Sequence, residues 1–250
     1  MTGPHGDPTA GTVVLGVDIG TTSTKTVAFA VGGEQLASAS AGYPLEEPHG
    51  GHAVQDPQLI LRAVLDTVRA VVEEVGAERV AGLSFSSAMH GLLGLSPEGE
   101  PLTPLVTWAD TRASAQAERL RAAVGGLALH RRTGTPVHPM SPLAKLVWFH
   151  EQEPKLCERV AFWAGIKEFV LLRLCNALVV DHSVASATGL MNIHELTWDD
   201  EALALAGILP EQLPELVPTT TVLPGLTEAT ARATGLPEST PVVVGASDGP

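Results

Sequence analysis

Residues 13–25 read Val-Val-Leu-Gly-Val-Asp-Ile-Gly-Thr-Thr-Ser-Thr-Lys, and this stretch decides the fold that we expect. Four of its first five residues are apolar and three are β-branched, which is typical of a strand buried on both faces. The strand brings Asp18 to a turn of small residues, and residues 24–30 return as a second strand. The pattern therefore predicts a β-hairpin with an acid beside its turn.

The turn after Asp18 has the composition of a phosphate site. It consists of Gly20, Thr21, Thr22 and Ser23. Glycine can adopt a positive φ, and small hydroxyl residues leave backbone N–H groups free to point outward. A carboxylate beside such a turn suits a Mg²⁺–phosphate complex, and Lys25 adds a positive charge. An ordinary hairpin turn is the alternative, because the pattern matches neither the P-loop nor G-x-G-x-x-G.

Composition narrows the classes of protein. A hydrophobic content of 44% with 17% charged residues indicates a globular chain, and 250 residues suffice for one large domain or two small ones. The net charge of −13 and the lack of a basic run argue against sequence-independent nucleic-acid binding. Cys157 and Cys175 form no C-x-x-C motif, so we expect reduced, buried thiols in a cytoplasmic protein.

No segment of the sequence predicts a membrane anchor or a signal peptide. Residues 160–180 are the most apolar, but Lys167, Glu168 and Arg173 interrupt them. Residues 1–12 are rich in Gly, Pro and Thr, and we expect them to form a flexible tail.

Strands and helices alternate after the hairpin. Residues 34–41 predict a third strand, and Asp56-Pro57 opens a helix that Gly76 ends. The apolar residues of this helix recur along one stripe: Ile60, Val64, Val68, Val71, Val72 and Val75. Residues 80–85 predict a strand that can run parallel to the first. This order indicates an α/β domain with a mixed sheet.

Several polar residues then follow predicted strands. His90 lies just after the strand of residues 80–85, where open α/β sheets place ligand contacts, although a structural histidine is the alternative. Trp108, Asp110 and Arg112 resemble a sugar platform, in which a ring packs on C–H faces while charges bind hydroxyls. A helix cap with a surface ion pair competes with that interpretation. Lys167 lies in the first turn of a predicted helix, where the positive end of the helix dipole disfavours a cation. It therefore either contacts a nearby anion or has no role.

The end of the chain repeats the arrangement of its beginning. Residues 241–244 predict an apolar strand that leads into Gly245-Ala246-Ser247-Asp248-Gly249. Two such strands can bring two carboxylates to one phosphoryl site, with Asp18 near the metal and Asp248 as the base.

These segments together resemble the FGGY carbohydrate kinases, within the actin–hexokinase–chaperone ATPase superfamily. The matching segments are 16–25, 86–90, 107–112, 165–168 and 245–249. The resemblance implies a ribonuclease H-like/actin-like ATPase fold, with a mixed sheet flanked by helices. It also implies that residues 13–245 form the N-terminal, sugar-binding lobe of a two-lobe kinase. Residues 246–250 would then start the linker to a C-terminal, ATP-binding lobe.

The resemblance implies transfer of the γ-phosphoryl group of ATP to a terminal hydroxyl of a sugar or sugar acid. Ser-Ser-Ala-Met-His with Thr-Trp-Ala-Asp is most similar to the gluconokinase branch, which converts D-gluconate to 6-phosphogluconate. The resemblance implies Mg²⁺ at Asp18 and a catalytic base at Asp248. It also implies a phosphate site at Gly20, Thr21, Thr22, Ser23 and Lys25. The implied sugar contacts are Met89, His90, Trp108 and Asp110, and the candidate cations for a carboxylate are His90, Arg112, His138 and Lys167.

Other interpretations stay open at this point. A xylulokinase-like or other polyol kinase is the alternative within the enzyme class, although xylulokinases typically carry Trp-Asn-Asp where this chain has Trp108-Ala109-Asp110. A non-catalytic sugar-binding module is the alternative from another class, and an actin-like polymerising ATPase has little support. The sequence leaves room for a homodimer. We expect the 250-residue chain alone to bind sugar weakly and to turn over slowly or not at all.

Overall fold

The computed structural model describes residues 11–123 and 126–249. The expected flexible tail therefore lies outside the described residues, except for its last two positions. The strands are β1 Val13–Ile19, β2 Ser23–Ala30, β3 Gln35–Gly42, β4 Val54–Gln55, β5 Val80–Ser87, β6 Leu93–Leu95, β7 Leu105–Val106, β8 Phe162–Ala164, β9 Val179–Asp181, β10 Met191–Asn192, β11 Thr197–Trp198, β12 Glu215–Val217, β13 Val222–Leu223 and β14 Val242–Ser247. The helices are α1 Pro57–Val75, α2 Ser114–Ala123, α3 Gly126–Thr133, α4 Pro142–Gln152, α5 Pro154–Cys157, α6 Ile166–Cys175, α7 His182–Ser186, α8 Asp200–Ala206 and α9 Glu228–Thr234.

A mixed six-stranded sheet organises the lobe. Its strand order is β13-β14-β5-β1-β2-β3. β1 and β2 form the predicted hairpin, with Asp18 opposite Lys25. β5 runs parallel to both β1 and β14, whereas β2, β3 and β13 pair in antiparallel fashion. The predicted mixed α/β sheet is therefore confirmed, and the carboxyl ends of β1, β5 and β14 meet at one edge.

The first strand is buried on one face only, which corrects the prediction that both faces are covered. Leu15 and Val17 are buried, whereas Val14 is 44% exposed and Asp18 is exposed. The buried side chains pack against α1, whose apolar stripe includes the fully buried Val64. The other face of β1 lines an open groove, so its side chains alternate between core and solvent.

The helix α1 begins and ends where the sequence predicts. Asp56 is its N-cap, and its Oδ1 accepts a hydrogen bond of 2.8 Å from the backbone N–H of Gln58. Gly76 ends the helix at a φ of 89°, a conformation that favours glycine. This helix fixes the buried face of the sheet.

A second apolar core lies between α2, α4 and α8. It contains the buried side chains of Leu146, Phe149 and Trp163. α4 begins at Pro142, and its Lys145 Nζ donates to His90 O after β5 and to Thr107 O after β7. The second core thereby supports the loops that surround the candidate site.

Two local predictions differ from the structure. Residues 183–189 are predicted as a turn, but they contain most of α7, because the carboxylate of Asp181 accepts hydrogen bonds from the first turn of that helix. β14 continues to Ser247, so the predicted linker boundary at residue 246 falls within a strand. Pro250 lies outside the described residues. Across the described ranges, no helix has the length and apolar composition needed to cross a bilayer.

Candidate active site

The two predicted acids lie on either side of β5. Asp18 pairs with Ser86 of β5, and the Ser86 hydroxyl donates a hydrogen bond of 2.5 Å to Asp18 Oδ1. Asp248 directly follows β14, and its backbone N–H donates to Ser87 O at 2.9 Å. The two acids therefore lie at the same edge of the sheet, with the end of β5 between them.

A bulge in β14 directs the residues before Asp248. The register with β5 shifts between Val243 and Ala246, and Gly245 lies in this interval with a φ of 76°. A Cβ at Gly245 would lie only 1.8 Å from Phe85 O. Only glycine fits this close approach, so the glycine of the Gly-Ala-Ser-Asp segment is what allows the bulge.

The surroundings shift the pKa of two side chains at this edge, Asp248 and His90. Partial burial raises the pKa of Asp248, and the negative charge of Asp18 raises it further. Burial lowers the pKa of His90, and Lys145 and His138 lower it further, against the hydrogen bond to Ala187 and the charge of Asp248. His90 is therefore a neutral ring at pH 7, while Asp248 is a stronger base than an ordinary aspartate.

The turn between β1 and β2 has free amides. Its carbonyl groups are occupied, because Tyr43 Oη donates to Gly20 O at 2.6 Å and Gln55 Nε2 donates to Thr21 O at 2.7 Å. Within the described ranges, the backbone N–H groups of Thr21 and Thr22 have no acceptor in the protein. Such amides at the end of a strand suit phosphate oxygens.

The reason for glycine at position 20 differs from the prediction. Gly20 does not adopt a positive φ. A Cβ there would lie 3.1 Å from Ser23 O, which accepts the Gly20 N–H bond of 3.0 Å. Close packing across the turn therefore favours glycine. Lys25 is exposed beside Asp18 on the open face of the sheet, as expected for a cation near phosphate.

A narrow pocket joins the phosphate turn to two of the predicted sugar contacts. Thr21, Met89 and Trp108 line it. The Trp108 ring is 49% exposed, and its Nε1–H donates to Thr21 Oγ1 at 2.9 Å. An exposed indole held beside a polar turn is a surface on which a sugar ring can pack.

His90 lies in a neighbouring, larger pocket, which shares Gly91 with the first. Its Nδ1 is 2.7 Å from Ala187 O. Because a carbonyl oxygen only accepts, Nδ1 carries the proton and Nε2 is left as an acceptor. His138 has the opposite arrangement, since its Nδ1 accepts from the Met140 N–H at 3.2 Å and its Nε2 can donate. The two imidazoles therefore differ, with an acceptor nitrogen left at His90 and a donor nitrogen left at His138.

Asp110 and Arg112 bind each other, and neither is free as the sugar platform requires. Asp110 is completely buried, and Arg112 Nε and Nη2 donate to its two oxygens at 2.9 and 2.7 Å. Asp110 Oδ2 also accepts from the Ala53 N–H at 2.7 Å, and the Arg112 guanidinium stacks over Trp148. These bonds lower the pKa of Asp110 despite its burial. This pairing holds the two side chains together, and a direct contact of either with a sugar stays a prediction.

Lys167 does meet an anion, but the anion belongs to the protein. Its Nζ lies 2.5 Å from Asp181 Oδ2 and 2.9 Å from Ala246 O, and both side chains are completely buried. These contacts support the end of β14, and a contact of Lys167 with substrate stays a prediction. Among the four predicted cations, His138 is the exposed one. Arg112 and Lys167 are each paired with a carboxylate. His90 is partly buried and neutral.

Two buried charged residues near the site are not among the site residues that the sequence predicts. Lys145 is completely buried in α4, and burial lowers its pKa to about 7. Glu168 is buried beside His90 in the larger pocket, and burial raises its pKa to about 7. The sequence carries one indication of the buried Lys145: it lies between Leu143 and Leu146, so a charged residue falls among the apolar residues of one helix.

Asp18 fits a magnesium ion that is held mainly by phosphate oxygens. Its side chain is exposed at the edge of the sheet, and magnesium in phosphoryl-transfer sites uses one or two carboxylates with phosphate and water. In the part of the chain that is described, no cluster of three or more His, Cys, Asp or Glu side chains could bind a metal.

The sheet, its flanking helices and the acids at its edge define a lobe of the actin-like ATPase fold, of the kind found in sugar kinases. A gluconate kinase from Lactobacillus acidophilus matches 95% of this chain with a TM-score of 0.92 at 36% identity, over 48% of its own chain. A xylulose kinase from Rhodospirillum rubrum matches 94% with a TM-score of 0.90 at 30% identity, over 49% of its chain.

Sequence comparison agrees with the structural match. A gluconokinase of Bacillus subtilis (strain 168) is 42% identical over 236 residues, which cover 94% of this chain and 46% of that protein. Residues 13–250 match the N-terminal domain of the FGGY family of carbohydrate kinases, and the chain belongs to this family. It spans about half the length of these relatives.

Proposed function

We propose that the full-length protein transfers the γ-phosphoryl group of ATP to a terminal hydroxyl of D-gluconate and forms 6-phosphogluconate. The observation that carries this proposal is the position of Asp18 and Asp248 on either side of β5, beside a turn with free amides. The similarity to gluconokinases favours gluconate as the acceptor.

In this proposal Asp248 is the general base. Its carboxylate accepts the proton of the attacking hydroxyl, whose oxygen bonds to the γ-phosphorus while the bond to the bridging oxygen breaks and ADP leaves. The raised pKa of Asp248 suits this role, because a base acts best when its pKa lies near the working pH. A positioned base contributes about 10²–10⁴-fold to the rate.

The other residues position charge and substrate. Asp18 would hold Mg²⁺, and a bound ion would supply positive charge to the phosphate oxygens. The amides of Thr21 and Thr22 bind phosphate oxygens, with Ser23 and Lys25 beside them, and Gly20 allows the tight turn. The sugar packs on Trp108 and Met89. Placing the hydroxyl and the phosphate in line lowers the barrier without covalent chemistry.

The sugar acid needs both kinds of hydrogen bond that the two histidines offer. His90 Nε2 accepts from a hydroxyl of the sugar chain, since its Nδ1 is engaged with Ala187 O. His138 Nε2 donates to the carboxylate, since its Nδ1 accepts from Met140 N–H. His138 is the exposed candidate among the four predicted cations, so the carboxylate end of gluconate is assigned to it.

A neutral sugar such as xylulose is the second candidate. One observation favours it: Arg112 and Lys167 are both paired with buried carboxylates, so two of the four cations are not free for an anionic substrate. The similarity to xylulose kinases at 30% identity supports the same alternative.

An assay of ADP release separates the two candidates. The full-length protein is tested with D-gluconate, D-xylulose and glycerol at equal concentrations. We expect kcat/KM for gluconate to exceed the others by about 10-fold or more, because binding contacts discriminate on that scale. His138→Gln should lower kcat/KM for gluconate and leave that for xylulose unchanged. A preference for xylulose supports the second candidate, and no ADP release with any of the three contradicts both.

A further inference from the structure

Lys145 is the buried charged group whose contacts the proposed reaction does not use. Its side chain is completely buried, and across the described ranges no carboxylate lies within ion-pair distance of its Nζ. The ammonium instead donates to three backbone carbonyl oxygens: His90 O at 2.6 Å, Thr107 O at 2.8 Å and Val106 O at 3.3 Å. These three bonds use every donor that an ammonium group has.

The carbonyls belong to the two segments that border the sugar pocket. His90 follows Met89 and precedes Gly91, and Thr107 precedes Trp108. A backbone bridge between Leu92 and Val106 joins the same segments further from the pocket. Lys145 therefore connects them on the pocket side, where a bridge between strands is absent.

The conformation of His90 needs such support. Its φ is 63°, which is unusual and strained for a residue other than glycine. The residue is held at two points, because its carbonyl accepts from Lys145 and its ring binds Ala187 O. The acceptor Nε2 of His90 thus depends on the position of a backbone that Lys145 fixes.

An apolar residue would fill the same volume at lower cost. Burying an ammonium group costs several kcal/mol, and a methionine in α4 would avoid that cost. What methionine lacks is directional donors, which fix the spacing of the carbonyls at positions 90 and 107. The charge is therefore explained by the geometry of the two segments and not by the packing of the core.

We propose that Lys145 is a positioning residue of the sugar site, whose ammonium group fixes the distance between the segments Met89–Gly91 and Thr107–Trp108. The role rests on the proposed function, because it holds His90 and Trp108 in the arrangement that binds the acceptor sugar. Lys145 touches neither the sugar nor the nucleotide.

Kinetics of Lys145→Met in the full-length protein test the role, with Lys155→Met at an exposed position as the matched control. We expect KM for the sugar to rise by roughly 10- to 100-fold, because a misplacement of about 1 Å costs on the order of 10²-fold. KM for ATP should stay within about twofold, because the phosphate turn does not contact Lys145. A wild-type KM for the sugar, or an equal rise in both KM values, would overturn the proposal.

Hydrogen exchange on the 250-residue chain gives a readout that does not need activity. The amides of Leu92 and Thr107, which donate to Val106 O and Ala53 O at 3.0 Å, should exchange faster in Lys145→Met than in wild type, while those of α1 should not change. Unchanged exchange in both segments contradicts the proposal. If the wild-type enzyme phosphorylates no sugar, the proposed function fails while this measurement still decides the role of Lys145.

Lys145→Arg covers the case in which Lys145→Met does not fold. Arginine keeps the positive charge and offers donors to the same carbonyls, but its planar group cannot copy the three directions of an ammonium. We expect a folded protein with a raised KM for the sugar and an unchanged KM for ATP. A wild-type KM for the sugar in this variant would count against the proposal.

Discussion

Lys167 Nζ lies 2.5 Å from Asp181 Oδ2, and neither side chain is exposed to solvent. The pair extends to the strand that precedes Asp248. Lys167 donates to Ala246 O, and Ser183 Oγ accepts from the Ser247 N–H at 2.9 Å while it donates to Asp181 Oδ1. A buried network of hydrogen bonds thus connects α6 and α7 to the end of β14.

Removal of one partner of this pair should destabilise the lobe strongly. Asp181→Asn leaves the Lys167 charge buried without a counter-ion, and we expect a loss of about 3–5 kcal/mol in the free energy of unfolding. Urea unfolding measures it. The double variant Lys167→Met/Asp181→Leu should lose clearly less free energy of unfolding than the two single variants together, because no buried charge is then left unpaired.

The exposed pair Arg69–Glu73 is the matched control, with side chains 62% and 64% exposed. Arg69→Met should leave the free energy of unfolding nearly unchanged, since exposed ion pairs contribute little. Equal losses at the buried and the exposed pair would contradict the role assigned to the network.

Asp248→Asn should remove most of the activity of the full-length enzyme. Asparagine keeps the shape of the side chain but cannot take up the proton of the hydroxyl, so kcat should fall by about 10²–10⁴-fold. KM for the sugar should change by a few-fold at most. Steady-state kinetics give both values, and Asp200→Asn at an exposed position of α8 is the control. A variant with near wild-type kcat would contradict the assignment of Asp248 as the base.

Glu168→Gln should stabilise the lobe at neutral and alkaline pH. The pKa of Glu168 is about 7 in the folded protein and about 4.3 in an unfolded chain. Between these values the folded state binds more protons, so wild-type stability falls as the pH rises, by about 1.4 kcal/mol per pH unit. Glutamine cannot ionise and avoids this loss.

Urea unfolding at pH 4.5, 6 and 8 tests the change at Glu168. We expect the advantage of Glu168→Gln to be largest at pH 8 and to disappear near pH 4.5. Glu34→Gln, at an exposed position, should show no such dependence. An advantage that does not change with pH would mean that ionisation of Glu168 is not the cause.

Trp108→Ala should weaken sugar binding more than Trp108→Phe. Alanine removes the exposed ring face, and we expect KM for the sugar to rise by roughly 10-fold, equivalent to about 1.4 kcal/mol. Phenylalanine keeps a ring but loses the Nε1–H bond to Thr21 Oγ1, so a smaller rise is expected. KM for ATP is the internal reference. Equal effects of both changes would show that the hydrogen bond matters more than the ring.

Local patterns in the sequence predicted the frame of this lobe. The hairpin, the Asp56 cap of α1 and the apolar strand before Asp248 each depend on residues that are close in the chain. Such features carry their own signals, namely alternation, capping residues and glycine.

Long-range partners carried no comparable signal. Asp110 accepts a bond from the Ala53 N–H, 57 positions away, and Lys145 binds His90 O, 55 positions away. A sequence shows that a charged residue is present but not which group it meets. The same limit explains why β1 was wrongly predicted to be buried on both faces, because the exposure of Val14 depends on what covers the second face of the sheet.

The strand order has a consequence for how the lobe folds. β14 pairs with β5, although most of the chain separates the two in sequence. During synthesis the hairpin, α1 and β5 can assemble early, but the cleft cannot exist until the ribosome has released the strand that carries Asp248. Pairings between distant segments form slowly. The nascent chain must therefore keep the edge of β5 unpaired, and available to chaperones or to misfolding, until its last strand arrives.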